Sequence, residues 1–237
     1  MKAFALFALS VVATAAMAAG PTSPSSITIA NGAVSIQTAT IKNHSVVQND
    51  SNARNTALQN VASNAGDITI KGYSKQTATV NDSNLTNKAV NKDDFANQNV
   101  ASNAGKVEVT GSGSSEQSAS IKDDSTVSNK AAGGGADALQ SLASNNGKVL
   151  VKGVSKQDVS VNESTVANVA NGANALATQN LSSNMGHVTV AGYSNQTTSV
   201  SHSLVLNKAT GANSHAAQNI ASNDACNEPR DPCPTCH

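Results

Sequence analysis

An internal repeat of about 39 residues limits the folds that this chain can adopt. Its anchor is the phrase Gln-Asn-apolar-Ala-Ser-Asn, whose third copy is the looser Gln-Ser-Leu-Ala-Ser-Asn; the copies begin at Gln59, Gln98, Gln140, Gln179 and Gln218. Successive copies are 39, 42, 39 and 39 residues apart. A fixed period of about 20 to 50 residues is typical of solenoids and arrays, in which each repeat packs on its neighbours. The sequence therefore predicts about five stacked repeats.

Each repeat contains the same phrases in the same order. After the anchor come a glycine, two β-branched residues such as Ile68 and Ile70, and a second glycine. Two further phrases follow: Gln-x-apolar-x-apolar, as in residues 76–80, and Ser-x-apolar-x-Asn-x-Ala, as in residues 83–89. Their period of two is that of a strand with one buried face. We therefore predict an all-β fold, either a repeat β-solenoid or a stack of amyloid-like rungs, with three or four short strands per repeat.

Gln and Asn recur at positions whose neighbours two residues away are apolar. A buried amide without partners costs about 1–3 kcal/mol. In rungs about 4.8 Å apart, however, each amide can donate to one neighbouring rung and accept from the other. We therefore predict that inward-facing amides form stacking ladders. The predicted ladder residues are Gln59, Gln98, Gln140, Gln179, Gln218, Gln76, Gln117, Gln157, Gln196, Asn87, Asn129, Asn168 and Asn207.

The N-terminus has the pattern of a secretory signal. Lys2 precedes an apolar run from Ala3 to Ala16, and residues 16–18 form a small-x-small cleavage pattern. The run is too short for a membrane span, which needs about 20 apolar residues. We expect a secreted protein with four parts: a signal peptide over residues 1–18, an N-terminal segment with a partial first repeat over 19–56, tandem β-repeats over 57–223, and a Cys- and Pro-rich tail over 224–237.

The composition argues against an ordinary globular core and against several functions. Beyond the signal, the aromatic residues are Tyr73, Phe95 and Tyr193, while Ala, Ser, Thr, Asn, Gln and Gly dominate. The 15 basic and 15 acidic residues balance, so no nucleic-acid partner is indicated and self-association meets little repulsion. The sequence has no recognisable catalytic triad order, carboxylate pair or phosphate loop. We therefore expect a non-enzymatic protein without a small-molecule substrate.

The phrase Asn-x-Ala-Ser-Asn-x-Gly-x-apolar-x-apolar, followed by Gly and then Gln, resembles the repeats of the Fap-type functional amyloid subunits of bacterial biofilms. The clearest copies span residues 60–76, 99–117 and 180–196. More loosely, the chain is similar to curli subunits, which carry amide ladders on a shorter repeat. The resemblance covers most of residues 37–223. It implies secretion to the cell surface through an outer-membrane pore, homopolymerisation, a minor nucleator subunit as partner, and a matrix or adhesive role.

All three cysteines lie in the last dozen residues, and their role has three interpretations. Cys233, Cys236 and His237 match the Cys-x-x-Cys-His attachment signature of haem c, although no apolar pocket for haem is evident nearby. A Cys233–Cys236 disulfide or thiol handle would leave Cys226 unpaired, and Fap-type subunits also carry a Cys-x-x-Cys near the C-terminus. A Cys3His zinc site has suitable ligand types. We expect no resident metal or cofactor, with haem c as the alternative.

Three functions are compatible with these patterns. The favoured one is a secreted structural subunit that self-assembles into extracellular amyloid-like fibres of a biofilm matrix and contributes to adhesion. The first alternative is a monomeric β-solenoid adhesin, whose flat faces bind a surface or a sugar. The second alternative is an extracellular c-type haem protein. Fibre formation by the purified chain separates the first two, and a Soret absorption band identifies the third.

Overall fold

The computed structural model describes residues 26–29, 34–52, 56–65, 67–70, 72–90, 93–104, 107–109, 113–146, 149–184 and 188–222. Every regular element in these residues is a β-strand, and the strands form parallel sheets wound as a β-solenoid. The predicted all-β repeat fold is confirmed, with a rung of about 39 residues. Among the described residues there is no helix with the length and apolar character needed to cross a membrane.

The chain passes through successive rungs built from strands in the same order. Rung 1 contains β1 (Ser26–Ile29), β2 (Val34–Lys42), β3 (Val46–Asn52), β4 (Thr56–Val61) and β5 (Asn64–Ala65). Rung 2 contains β6 (Asp67–Ile70), β7 (Tyr73–Asn81), β8 (Asn84–Val90), β9 (Phe95–Val100) and β10 (Asn103–Ala104). Rung 3 contains β11 (Val107–Val109), β12 (Ser114–Lys122), β13 (Thr126–Ala132), β14 (Ala138–Leu142) and β15 (Asn145–Asn146).

The last two rungs repeat this order with fewer described strands. Rung 4 contains β16 (Val149–Val151), β17 (Val154–Asn162), β18 (Thr165–Asn171) and β19 (Thr178–Leu181). Rung 5 contains β20 (Thr189–Val190), β21 (Tyr193–Ser201), β22 (Leu204–Thr210) and β23 (Ala217–Ile220). Among the described residues, paired strands begin at Ser26, and rung 1 includes more of the chain than the partial copy visible in the sequence.

Strands at the same place in successive rungs pair in parallel. Sheet A has the order β1-β6-β11-β16-β20, sheet B β2-β7-β12-β17-β21, sheet C β3-β8-β13-β18-β22, sheet D β4-β9-β14-β19-β23, and the short sheet E β5-β10-β15. The chain makes four turns between β2 and β21. Pairing is in register, so that Gln37, Gln76, Gln117, Gln157 and Gln196 follow one another along the axis. We call such a set of stacked residues a column.

Alternate residues of sheets B, C and D face a common interior. In β7 every second side chain from Ser74 to Val80 is buried, and β8 shows the same alternation from Leu85 to Ala89. The apolar part consists of a Val, Leu, Ile and Ala cluster between the three sheets and a separate alanine cluster that includes Ala96. Because the rungs are thin, small aliphatic side chains fill this interior, which explains how the chain folds with so few aromatic residues.

The corners contain non-glycine residues in the left-handed backbone region. After each sheet D strand comes a residue with positive φ, such as Ala101 at 51° and Ala143 at 45°. Non-glycine residues adopt this region infrequently, so other interactions must offset the conformational cost of the corner. The serine after each of these residues makes such an interaction. Ser102 Oγ, for example, accepts a hydrogen bond from the backbone N–H of Ser144 in the next rung at 3.1 Å. Hydrogen bonds between corners therefore hold neighbouring rungs together outside the sheets.

The longer spacing between the second and third anchor phrases arises at two connections. Rung 3 has four residues between β11 and β12 and three residues between β12 and β13, whereas rung 2 has two residues at each of these places. Rung 1 shares the longer connections with rung 3, and rungs 4 and 5 share the shorter ones with rung 2. We call rungs 1 and 3 long rungs and rungs 2, 4 and 5 short rungs.

Gly172 lies where the backbones of two rungs approach closely. A Cβ at this position would lie 1.5 Å from the carbonyl oxygen of Gly133, and Gly172 has a φ of 157°. We expect Gly172→Ala to lower the free energy of unfolding by more than about 3 kcal/mol, because a backbone clash cannot be relieved by side-chain rotation. Urea unfolding measures this. Ala173→Ser, at the adjacent exposed position, should change stability by less than about 0.5 kcal/mol, and equal effects would refute the close approach.

Candidate functional site

The first ladder, which we call the sheet C ladder, is formed by asparagines. It consists of Asn49, Asn87, Asn129, Asn168 and Asn207. Each Nδ2 donates to the Oδ1 of the next rung, at distances of 2.7, 2.8, 2.9 and 2.9 Å. The ladder is therefore continuous over all five rungs, and its donors point towards rung 5.

The orientation of these amides is determined by sheet D. Asn129 Nδ2 lies 3.1 Å from the carbonyl oxygen of Ala96 and 2.8 Å from that of Leu139. Because both carbonyl oxygens are acceptors, the nitrogen of the amide and not its oxygen faces sheet D, and Oδ1 accepts from Asn87 of the preceding rung. Asn87 and Asn168 have the same pair of backbone contacts. Each asparagine thus joins sheet C to sheet D as well as one rung to the next.

The second ladder, the sheet D ladder, is formed by Gln59, Gln98, Gln140, Gln179 and Gln218. Here each Nε2 donates to the Oε1 of the preceding rung, at distances of 2.7, 2.7, 2.6 and 2.6 Å. Gln98, Gln140 and Gln179 are completely buried. The direction is thus opposite to that of the sheet C ladder, and the donors point towards rung 1.

The third ladder, the sheet B ladder, consists of Gln37, Gln76, Gln117, Gln157 and Gln196. Its amides also donate to the preceding rung, at distances of 2.9, 2.9, 2.9 and 3.0 Å. Each Nε2 bonds in addition to the serine two residues earlier, as Gln76 does to Ser74 at 2.7 Å. Both amide hydrogens therefore have partners, which removes the cost of burying the amide.

All the ladder residues singled out from the sequence lie in these three columns. Sequence reasoning did not assign a ladder role to Gln37 or Asn49, nor to a fourth ladder formed by Asn64, Asn103, Asn145 and Asn184. The signal for the fourth ladder was present, because these asparagines end the anchor phrase in four successive copies. Asn49 lies in residues 45–51, which read Ser-x-Val-x-Asn-x-Ser. This is the phrase Ser-x-apolar-x-Asn-x-Ala with Ser in place of the final Ala.

One outer column of amides is interrupted at rung 3. Asn99 donates to Asn60 at 3.0 Å and Asn219 donates to Asn180 at 3.1 Å, but the residue in rung 3 is Ser141. A serine is too short to continue the ladder. As a result, the buried Oδ1 of Asn99 has no hydrogen-bond partner, and a missing partner of this kind costs about 1–3 kcal/mol.

Ser141→Asn is expected to complete this column. The new amide would donate to Asn99 Oδ1, as asparagines at the same place do in the other rungs. Asn146, whose Nδ2 donates to Ser141 Oγ at 3.3 Å and which takes the place of Ala104, would have to turn away to admit it. We expect an increase of about 1 kcal/mol in the free energy of unfolding, measured by urea unfolding. Ser141→Ala serves as the control and should give no gain. A Ser141→Asn variant no more stable than the wild type would show that the interruption carries no cost.

Charged side chains form ion pairs on the outer surface. Lys75 Nζ lies 3.8 Å from Glu116 Oε2, and the Tyr73 hydroxyl donates to the same oxygen at 3.2 Å. Burial, together with this carboxylate, raises the pKa of Tyr73. His44 Nδ1 pairs with Asp82 Oδ2 at 3.0 Å. Such exposed pairs contribute about 0–1 kcal/mol each, so the rungs are held together mainly by sheet, ladder and apolar contacts.

The predicted signal peptide and the cysteine tail lie outside the described residues. This applies to the proposed roles of Cys226, Cys233, Cys236 and His237 in a disulfide, a haem attachment or a zinc site. Within the part of the chain that the structure describes, no three His, Cys, Asp or Glu side chains are grouped to hold a metal ion.

The end rungs leave inner columns uncovered among the described residues. In the column of Val80, Ile121 and Val161 the side chains are 1% exposed, whereas Val200 of rung 5 in the same column is 45% exposed. Ile220 of rung 5 is likewise 44% exposed. These residues point inward by register, so their exposure results from the absence of a further described rung.

The fold and the ladders define a class: a repeat β-solenoid whose interior is crossed by continuous amide ladders and whose described ends are open. Comparisons with protein-family models, with curated proteins and with solved structures found no match.

Proposed function

We propose that the chain is a secreted structural subunit that self-assembles into extracellular amyloid-like fibres of a biofilm matrix and contributes to adhesion. The exposure of the inner columns at the end rungs carries this proposal. A further rung placed on rung 5 would cover Val200 and Ile220 as Val161 and Leu181 are covered one rung earlier. Removing apolar surface from water contributes about 25 cal/mol per Å², so stacking of copies is favoured.

The backbone supports the same conclusion. At each end of the described array the outermost strands of sheets B, C and D present hydrogen-bonding edges side by side, and such edges are templates for pairing with another chain. Nothing in the overall charge opposes this, since 15 basic and 15 acidic residues balance. Pairing at these edges would extend a parallel, in-register stack with a spacing of about 4.8 Å, which is the arrangement of amyloid.

The cellular role rests on the sequence. The signal-like pattern of residues 1–18 supports export, and the resemblance to Fap-type subunits supports an outer-membrane pore and a nucleator as partners. A role as structural subunit is also consistent with the use of the interior for amide ladders, because in rungs 2 to 4 these side chains are engaged in hydrogen bonds between rungs and with the backbone.

Assembly is tested with the purified chain beginning at Ala19, the expected exported form. We expect unbranched fibres by electron microscopy and fibre reflections near 4.8 and 10 Å. A chain that stays monomeric in sedimentation experiments after prolonged incubation at neutral pH would contradict the proposal and favour the monomeric adhesin. A Soret band in protein from its native host would instead indicate the haem protein.

A further inference from the structure

We infer that copies join in one direction only: rung 1 of each copy stacks on rung 5 of the previous copy, in register, so that all copies in a fibre point the same way. This inference rests on the proposed assembly and adds its polarity and its register. The partner that fits each open end is thus a second copy of this chain, presented by its opposite end. Three independent features of the end rungs lead to this conclusion.

The directions of the ladders make the two ends complementary. At rung 1 the sheet B and sheet D ladders end in the amide nitrogens of Gln37 and Gln59, and at rung 5 they end in the amide oxygens of Gln196 and Gln218. The sheet C ladder runs the other way and ends in Nδ2 of Asn207 at rung 5. Its rung 1 end is Oδ1 of Asn49, since Asn49 Nδ2 donates to Asn87.

Stacking rung 1 on rung 5 therefore continues all three ladders. Gln59 of the added copy would donate to Gln218, and Asn207 would donate to Asn49 of the added copy. Gln37 Nε2 donates within its own rung to Ser35 Oγ and Asn64 Oδ1, both at 2.9 Å. At the join it would keep Ser35 and exchange Asn64 for Gln196, which reproduces the partners of Gln76 inside the chain. If two rung 5 ends met instead, the glutamine ladders would present oxygen towards oxygen. A buried acceptor left without a donor is unfavourable because its desolvation is not compensated, so the ladders disfavour joining of like ends.

The rung types provide the second feature. Rung 5 is a short rung and rung 1 is a long rung, so the join places a long rung after a short one. The same succession occurs inside the chain between rungs 2 and 3. There the corner backbones are bonded from Asp82 N to Lys122 O at 3.2 Å and from Thr126 N to Ser83 O at 3.0 Å. The junction between rungs 2 and 3 therefore shows how the corners of two joined copies can be hydrogen-bonded.

The hydrogen bonds between rungs 2 and 3 predict specific contacts between the two copies. By register, His202 takes the place of Asp82 and Ser203 that of Ser83, while Lys42 of the added copy takes the place of Lys122. Inside the chain, Ser83 N donates to Ser125 Oγ at 3.2 Å. The corresponding donor is Ser203 N, and its acceptor is the Ser45 hydroxyl of the added copy. Each corner group thus receives the partner that it has inside the chain.

Charge provides the third feature. Asp50, Lys88, Lys130, Val169 and Lys208 form one outer column. A rung 1 stacked on rung 5 brings Asp50 of the added copy next to Lys208, with a spacing of about 4.8 Å between strands. Asp50 and Lys208 are both exposed, so the pair contributes little to affinity. Its opposite charges favour this register over alternatives that place like charges together.

Disulfide cross-linking tests the polarity and the register together. Lys42 and Ser201 are exposed members of one column, at rung 1 and rung 5 respectively. In the proposed join they are neighbours about 4.8 Å apart, within the range of about 4.4–6.8 Å that a disulfide spans. Two single variants, Lys42→Cys and Ser201→Cys, are prepared with Cys226, Cys233 and Cys236 replaced by Ser, and are co-assembled in equal amounts before oxidation.

We expect disulfides between position 42 of one chain and position 201 of another, identified by mass spectrometry, and none joining 42 to 42 or 201 to 201. Like-to-like disulfides would overturn the polarity, and fibres without disulfides would overturn the register. Asn81→Cys with Lys122→Cys in a single chain is the positive control, because these positions are neighbours at the internal short-to-long junction. Absence of fibres would be a different result, which overturns the proposed function together with this inference.

Discussion

Replacing the five glutamines of the sheet D ladder by glutamate is expected to abolish folding and assembly near pH 7. The replaced residues are Gln59, Gln98, Gln140, Gln179 and Gln218. Each carboxylate lacks the N–H groups that the amide donates to the preceding rung at 2.6–2.7 Å. Like charges about 4.8 Å apart repel by about 1 kcal/mol in water-like surroundings and by several times more when buried. All five members of the column would carry the same charge.

Acidification should reverse this effect. Burial and repulsion raise the pKa of such glutamates above the usual value of about 4.3, because both disfavour the charged form. The stability of the variant is therefore present in full below the unfolded-state pKa of about 4.3 and is lost as pH rises from there through the raised pKa. Protonated glutamate is a near-isostere of glutamine that also offers a donor. We expect the variant to assemble below about pH 4, measured by fibre formation and circular dichroism.

A matched control separates the position of the charges from their number. Five amides on the outer surface, changed to the corresponding acids, add the same charge: Asn43, Gln48, Asn84, Asn171 and Asn195. This control should assemble at pH 7 at close to the wild-type rate, because exposed charges are screened by solvent and salt. Assembly of the ladder variant at the wild-type rate at pH 7 would show that the sheet D ladder does not hold the rungs together.

Asn129→Asp is expected to cause the largest loss from a single isosteric change. Asn129 Nδ2 lies 2.9 Å from Asn168 Oδ1 and also faces two backbone carbonyl oxygens of sheet D, so its two N–H groups are shared among three acceptors. A carboxylate at this completely buried position would face three acceptors without a donor. We expect the free energy of unfolding to fall by about 4 kcal/mol or more at pH 7, since an uncompensated buried charge is strongly destabilising.

The control for this variant is Asn171→Asp, the same chemical change at an exposed position of sheet C. It should alter stability by less than about 0.5 kcal/mol in urea unfolding. Asn129→Leu gives a second comparison: it leaves the carbonyl oxygens without donors but adds no charge, so its effect should be smaller than that of Asn129→Asp and independent of pH. Equal stability of Asn129→Asp and Asn171→Asp would contradict the assigned hydrogen bonds.

Much of the fold was predictable because one signal, the period, repeats throughout the chain. Alternation in residues 76–80 and 83–89 identified the inner faces of β7 and β8, and the recurring amides identified the columns. The direction of a ladder was not predictable in this way. It depends on which backbone carbonyls face the amide from another sheet, as Ala96 and Leu139 face Asn129, and these contacts are not encoded in the period.

The corners illustrate a second limit of sequence reasoning. Ala101 and Ala143 adopt positive φ values, a conformation for which glycine is the usual residue. Local preference therefore gave no indication of these corners, which are stabilised by hydrogen bonds to serines of neighbouring rungs. The three extra residues of rung 3 were likewise visible as a longer spacing, while their division between two connections became apparent only in the structure.

The axial subunit repeat of the fibre shows whether the rungs of one chain are stacked along the fibre axis. If each copy contributes five rungs stacked along the fibre axis, the repeat is about five times 4.8 Å, or about 24 Å, and it should be seen by cryo-electron microscopy as the helical rise per chain. A rise of about 4.8 Å per chain, in which each chain forms a single flat layer, would contradict the account, because the rungs of one chain would then not be stacked on one another.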